Sequence, residues 1–108
     1  AFRIARERTL PGVVIALHAD LWIGNDAYRT IVETLAEEAL RYAGEVLVVH
    51  GDTHWYRFDQ PLVDPRSGKK VENVRRLEVF GSPFVNWVLV TVRVEDGKAR
   101  FSAVTGGR

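Results

Sequence analysis

The chain has 108 residues, with 15 Lys+Arg against 14 Asp+Glu for a formal charge of +1, and it is 46% apolar, 27% charged and 10% aromatic. This is the size of one domain, and its balanced charge and ordinary apolar share exclude a disordered or polyanion-binding chain, so nucleic acid is not an expected partner. The absence of cysteine excludes disulfides, zinc–thiolate sites and thiol nucleophiles; the longest apolar runs, residues 13–17 and 46–49, fall far short of the ~20 residues of a membrane-spanning helix, so no membrane partner is expected either.

Residues 2–8 place Phe2, Ile4 and Ala5 at roughly helical spacing, and Pro11 ends that pattern. Residues 12–17 form a short β-branched run that predicts a strand buried on both faces, with His18 at its C-terminal end. Tyr28, Ile31, Val32, Leu35, Ala36, Ala39, Leu40 and Tyr42 then recur at three-four spacing with Arg29, Glu33, Glu37 and Arg41 opposite, the clearest helix of the chain. Asn25 or Asp26 suits its N-cap, and Gly44 is expected to stop it in a left-handed conformation. A second buried strand, residues 45–50, follows at once, so strand, helix and strand predict a parallel βαβ unit.

Residues 55–59 read as a short aromatic strand, and residues 60–73, with Pro61, Pro65 and Gly68, as a long polar loop expected to be mobile. Residues 74–80 and 87–94 read as antiparallel strands around the turn Gly81-Ser82-Pro83, with Trp87 assigned to the core. Asp96-Gly97 marks a hairpin turn into residues 98–104, and residues 105–108 are expected to fray. The basic residues Arg66, Lys69, Lys70, Arg75 and Arg76 read as a solvated face.

The histidines number 3, and His18, His50 and His54 all lie at or just beyond the ends of the two apolar strands, where parallel α/β sheets place ligands. With Asp20 and Asp52 they offer imidazole and carboxylate donors of the kind that bind zinc, manganese or iron. A second reading stands beside this one, in which the rings close off buried strands by bonding to backbone and Asp52-Thr53 forms an ordinary turn. Ser82 has no nucleophile-elbow context, so serine-hydrolase chemistry has no support.

The stretch Val46-Leu47-Val48-Val49-His50-Gly51-Asp52-Thr53-His54 resembles the strand and Gly-His-x-His loop of the calcineurin-like metallophosphoesterases. The resemblance implies that His54 binds one ion of a dinuclear divalent centre (Mn, Fe or Zn) and that Asp52, standing where the family has a histidine, binds the other. His18, closing Val13-Val14-Ile15-Ala16-Leu17-His18, corresponds to another metal-binding histidine of the family. His50 and Asp20 are then outer-shell residues, Trp22 and Trp55 the walls of a substrate pocket, and a phosphate ester the substrate. The implied fold class is α/β: a βαβ unit followed by antiparallel strands, similar to the C-terminal half of the family's αββα sandwich.

The family's Asp-x-His loop, metal-bridging aspartate and Gly-Asn-His-Asp segment are not in this sequence; Gly24-Asn25-Asp26 is not that segment. With its start at Ala1 and no methionine, the chain therefore reads either as one domain or as a C-terminal half-domain, expected to be inactive without its other half and to need that half or a second copy as partner. Two alternatives remain: a small non-catalytic α/β interaction domain that oligomerises through an exposed strand edge, and an inactive family member that keeps the fold as a scaffold.

Overall fold

The computed structural model describes residues 1–83 and 85–107. A helix α1 (Phe2–Glu7) leads into strand β1 (Gly12–Ala16); a 3-10 turn (Asp26–Tyr28) opens helix α2 (Arg29–Leu40), which returns to β2 (Glu45–His50). Then come β3 (Arg57–Asp59), β4 (Val74–Glu78), β5 (Asn86–Glu95) and β6 (Lys98–Gly107). The first four strands form a mixed sheet in the order β1-β2-β4-β3, in which β1, β2 and β4 are parallel and β3 is antiparallel to β4. β5 and β6 form a separate antiparallel hairpin. The result is a compact α/β fold with a mixed sheet and an antiparallel hairpin.

Strand periodicity divides the core between the two faces of the sheet. Val46, Val48 and Val74 point to the helices and pack with Ala5, Leu35, Ala36, Ala39 and Tyr42. Leu47 and Leu77 point the other way and meet Ala99 and Phe101 of the hairpin, with Val88 and Val90 beside them. The Asn25 side chain accepts a hydrogen bond from the Ala27 amide, capping the 3-10 turn that opens α2.

Several local expectations change once the strands are placed. β4 does not pair with β5; it lies parallel to β2 near the centre of the sheet, with Val46 opposite Val74 and His50 opposite Glu78. β1 is an edge strand and only half-buried: Val14, on the hairpin side, is 57% exposed. Trp87 is exposed, its ring lying across Gly106 on the hairpin, instead of entering the core. Thr105, Gly106 and Gly107 do not fray but complete the β6 ladder opposite Val88, Trp87 and Asn86, whereas Arg108 lies outside the described residues.

Gly44 is not among the residues with positive φ. Its role is close approach, because a Cβ there would stand 2.5 Å from the Tyr42 hydroxyl and 2.6 Å from the Pro11 carbonyl oxygen. That hydroxyl donates to the Leu10 carbonyl at 2.5 Å, tying the end of α2 to the approach of β1. The hairpin turn is as expected, with Asp96 at φ 53° and Gly97 at φ 76°, both left-handed as a type I′ turn requires.

The loop at residues 60–73 is anchored by Leu62 and Val71, both fully buried, and the Val71 amide donates to the Leu62 carbonyl at 2.9 Å. The basic residues around it separate: Arg66 pairs with Glu37 at 2.9 Å, and Arg76 turns inward onto Asp59.

Candidate functional site

The register that aligns the strands also builds a polar row at one end of the sheet. His50 ends β2, Glu78 ends β4 directly opposite it, and Arg57 opens β3 opposite Glu78. All three share the helix-side face with Val46, Val48 and Val74, so that face changes from apolar to charged along the strand direction. Asp20, in the loop after β1, joins the row from above. Asp20, His50 and Glu78 are buried, at 1%, 1% and 0% exposure.

Arg57 binds this group together. Its Nε donates to Glu78 Oε1 at 2.6 Å and its Nη2 to Asp20 Oδ2 at 2.9 Å. The bond to Glu78 holds the guanidinium proton more firmly than usual, against the opposing effect of burial and with further help from Asp20 and Asp59. Arg76, also buried, donates from Nε to Asp59 Oδ1 at 2.8 Å and from Nη2 to Oδ2 at 2.5 Å, and its guanidinium lies 5.1 Å from the centre of the Trp22 ring. The Trp22 amide donates to Asp20 Oδ1 at 2.9 Å, and the Trp22 ring lies 6.0 Å from that of His50. Two buried atoms of the row have no hydrogen-bond partner, His50 Nε2 and Glu78 Oε2.

The residues expected to bind metal stand outside this row, above the strand ends. His18 is 85% exposed, and its Nε2 lies 3.6 Å from Asp52 Oδ1. Asp52 and His54 occupy left-handed backbone conformations, with φ 64° and 68°, which non-glycine residues adopt rarely and at some energetic cost. His54 Nδ1 donates to the Ser82 carbonyl at 2.9 Å. Because a carbonyl only accepts, this bond places the ring proton on Nδ1 and leaves the Nε2 lone pair available in the neutral ring. The His54 ring packs against Gly81, where a Cβ would stand 2.3 Å from its Cδ2.

The structure thus brings His18 and Asp52 together and holds the His54 ring on the loop after β4, but it does not gather the donor atoms of His18, Asp52 and His54 within 4.8 Å of one another. Among the described residues, the group of three possible ligands whose donor atoms lie within 4.8 Å of one another is Asp20, His50 and Glu78. Trp22, Trp55, Asp20 and Arg57 line one cleft of about 430 Å³ with Ile23, Thr53 and Tyr56, so both tryptophans expected as pocket walls face the same space. Sequence reasoning did not identify Glu78 or Arg57. The strand containing Glu78 reads as a hairpin partner of later residues, and only its parallel placement beside β2 sets that carboxylate against His50.

No helix of the described residues is long and apolar enough to cross a membrane. No protein family, curated protein or solved structure matches the chain. The functional reading rests on the residues and their geometry.

Proposed function

We propose that the chain is part of a calcineurin-like metallophosphoesterase, contributing His18, Asp52 and His54 to a dinuclear divalent metal centre that hydrolyses phosphate esters. The observation that carries this reading is His54: its Nδ1 is committed to a backbone carbonyl, the usual partner of a metal-binding imidazole, and its Nε2 is left free on an exposed, conformationally strained loop. The closeness of His18 and Asp52 across the ends of parallel strands supports the same reading.

The donor types suit a first-row divalent ion, one nitrogen each from His18 and His54 and carboxylate oxygen from Asp52. When bound, such ions supply electrostatic stabilisation of the charge that builds on a transferring phosphoryl group. The chain's own residues orient and enclose. Ser82 holds the His54 ring, Gly81 leaves it room, and the cleft beside Trp55 and Tyr56 gives an ester's leaving group an apolar wall. His18, Asp52 and His54 supply part of a dinuclear ligand set, which fits a centre completed by further residues and little activity from this chain by itself.

Elemental analysis after manganese loading and dialysis tests the reading. His54→Ala is expected to lower the bound metal by about one equivalent in a protein whose circular dichroism is unchanged. Equal manganese in the variant and the parent would overturn it. Among the described residues no strand pairs with the outer edge of β1, which favours a second reading, an interaction domain that pairs through that strand. That reading requires a concentration-dependent dimer, and a monomer at high concentration in sedimentation removes it.

A further inference from the structure

The buried row at the end of the sheet is distinct from the exposed histidine loop. Asp20, His50 and Glu78 enter it from three separate segments, and each is at least nine-tenths buried. Arg57 takes one oxygen from each carboxylate, Asp20 Oδ2 and Glu78 Oε1. The other Glu78 oxygen has no partner, and Asp20 Oδ1 accepts from the Trp22 amide and lies 3.9 Å from Arg76 Nη1.

His50 decides what the remaining space can hold. Its Nδ1 is 3.3 Å from the Gly51 carbonyl, which can only accept, so the ring proton belongs on Nδ1. Nε2 then presents a lone pair, buried and unpartnered, 4.0 Å from Asp20 Oδ1. A lone pair facing two carboxylates inside the protein is repulsive unless something positive stands between them. The donor atoms of the three residues lie within 4.8 Å of one another. Two ligands about 2.1 Å from one tetrahedral ion are about 3.4 Å apart, so an ion would draw His50 and Asp20 together by roughly half an ångström. Asp20 also lines the open cleft shared with Trp22, Thr53 and Trp55, which gives an ion a route from solvent.

We infer that Asp20, His50 and Glu78 form a second, buried, mononuclear site for a first-row divalent ion such as zinc, separate from His18, Asp52 and His54. Imidazole nitrogen and carboxylate oxygen are both donor types that such ions take. Arg57 acts as the outer-shell partner, holding both carboxylates by the oxygens that do not ligate. Its charge lowers the affinity below that of a site without a neighbouring cation, while its hydrogen bonds keep the two carboxylates in position.

The chain carries only 3 histidines, which makes the test direct. In the double variant His18→Ala/His54→Ala of the 108-residue chain, His50 is the one remaining imidazole, so any histidine signal belongs to it. Titrating zinc into this variant, labelled with nitrogen-15 at histidine, is expected to give one bound ion per chain and to move the Nε2 resonance to the metal-coordinated range. Cobalt is expected to give visible d–d absorption under the same conditions, and Glu78→Gln in that background is expected to weaken binding at least tenfold. A folded double variant that binds no zinc, or whose Nε2 resonance stays that of a free or protonated ring, overturns the inference. Neither result bears on the exposed loop, whose histidines are absent from this protein, so the two proposals fail separately.

Discussion

Removing Arg57 tests the architecture of the site most sharply. Arg57→Met keeps the aliphatic stem of the side chain but strips two buried carboxylates of their common cation, at Glu78 Oε1 and Asp20 Oδ2. Breaking a buried ion pair by deleting one partner costs about 3–5 kcal/mol, mostly because a charge is left uncompensated. Arg57 is itself 42% exposed while Glu78 is 0% and Asp20 1%, so water reaches the vacated position and the lower end applies, about 3 kcal/mol. With a urea m-value of about 1.5 kcal/mol/M, the unfolding midpoint falls by about 2 M. The measurement is urea unfolding of chelator-treated protein followed by circular dichroism. Combining Arg57→Met with Glu78→Gln removes one of the two stranded charges and is expected to recover at least about 1 kcal/mol as a coupling energy. A loss below about 1 kcal/mol for Arg57→Met, with no coupling to Glu78→Gln, would refute the view that this arginine neutralises the row.

Other outcomes follow from single contacts. Gly81→Ala is expected to push the His54 ring off Ser82, so that nitrogen-15 spectra show His54 losing its fixed Nδ1–H tautomer while the fold is kept; an unchanged tautomer would show that the contact does not orient the ring. Leu62→Ala, at a fully buried position of the long loop, is expected to cost about 2–5 kcal/mol, measured by urea unfolding, because the loop closes over the helix-side core. The Glu38 carboxyl lies below its ordinary range, chiefly because Arg6 donates to it at 2.5 Å, and Asp64 is lowered in the same direction by the Arg66 amide and the Ser67 hydroxyl. A depressed folded value stabilises above the ordinary carboxylate range and is lost as pH falls through it. Thermal melts are therefore expected to drop with acidification below about pH 4.5, and Arg6→Ala to flatten that decline.

Where local chemistry dominates, the elements can be read directly from the chain. The three-four spacing from Tyr28 to Leu40 marks α2, the apolar run before His50 marks β2, and Asp96-Gly97 marks the hairpin. The residues at the strand ends, His18, Asp20, His50, Asp52 and His54, were also legible, because parallel strands place loops where ligands bind. The family resemblance already set His50 and Asp20 apart from His18, Asp52 and His54, but that His50 and Asp20 join Glu78 in one buried group was not legible. Position along the chain puts His50 between the other two histidines, but the alternation of the strand sends it down into the helix-side face, while Asp52 and His54 sit on a loop above.

Short-range periodicity, capping and composition were enough to locate α2, β2, the parallel βαβ start and the hairpin turn, and to exclude thiol chemistry. That β4 runs beside β2, that Thr105, Gly106 and Gly107 pair instead of fraying, and that Glu78 stands between His50 and Arg57 came only with the tertiary structure. The physical reason is range. Residues 28 apart along the chain, such as His50 and Glu78, become neighbours through strand register, which depends on which buried faces match across the whole sheet and leaves no periodic mark on either segment.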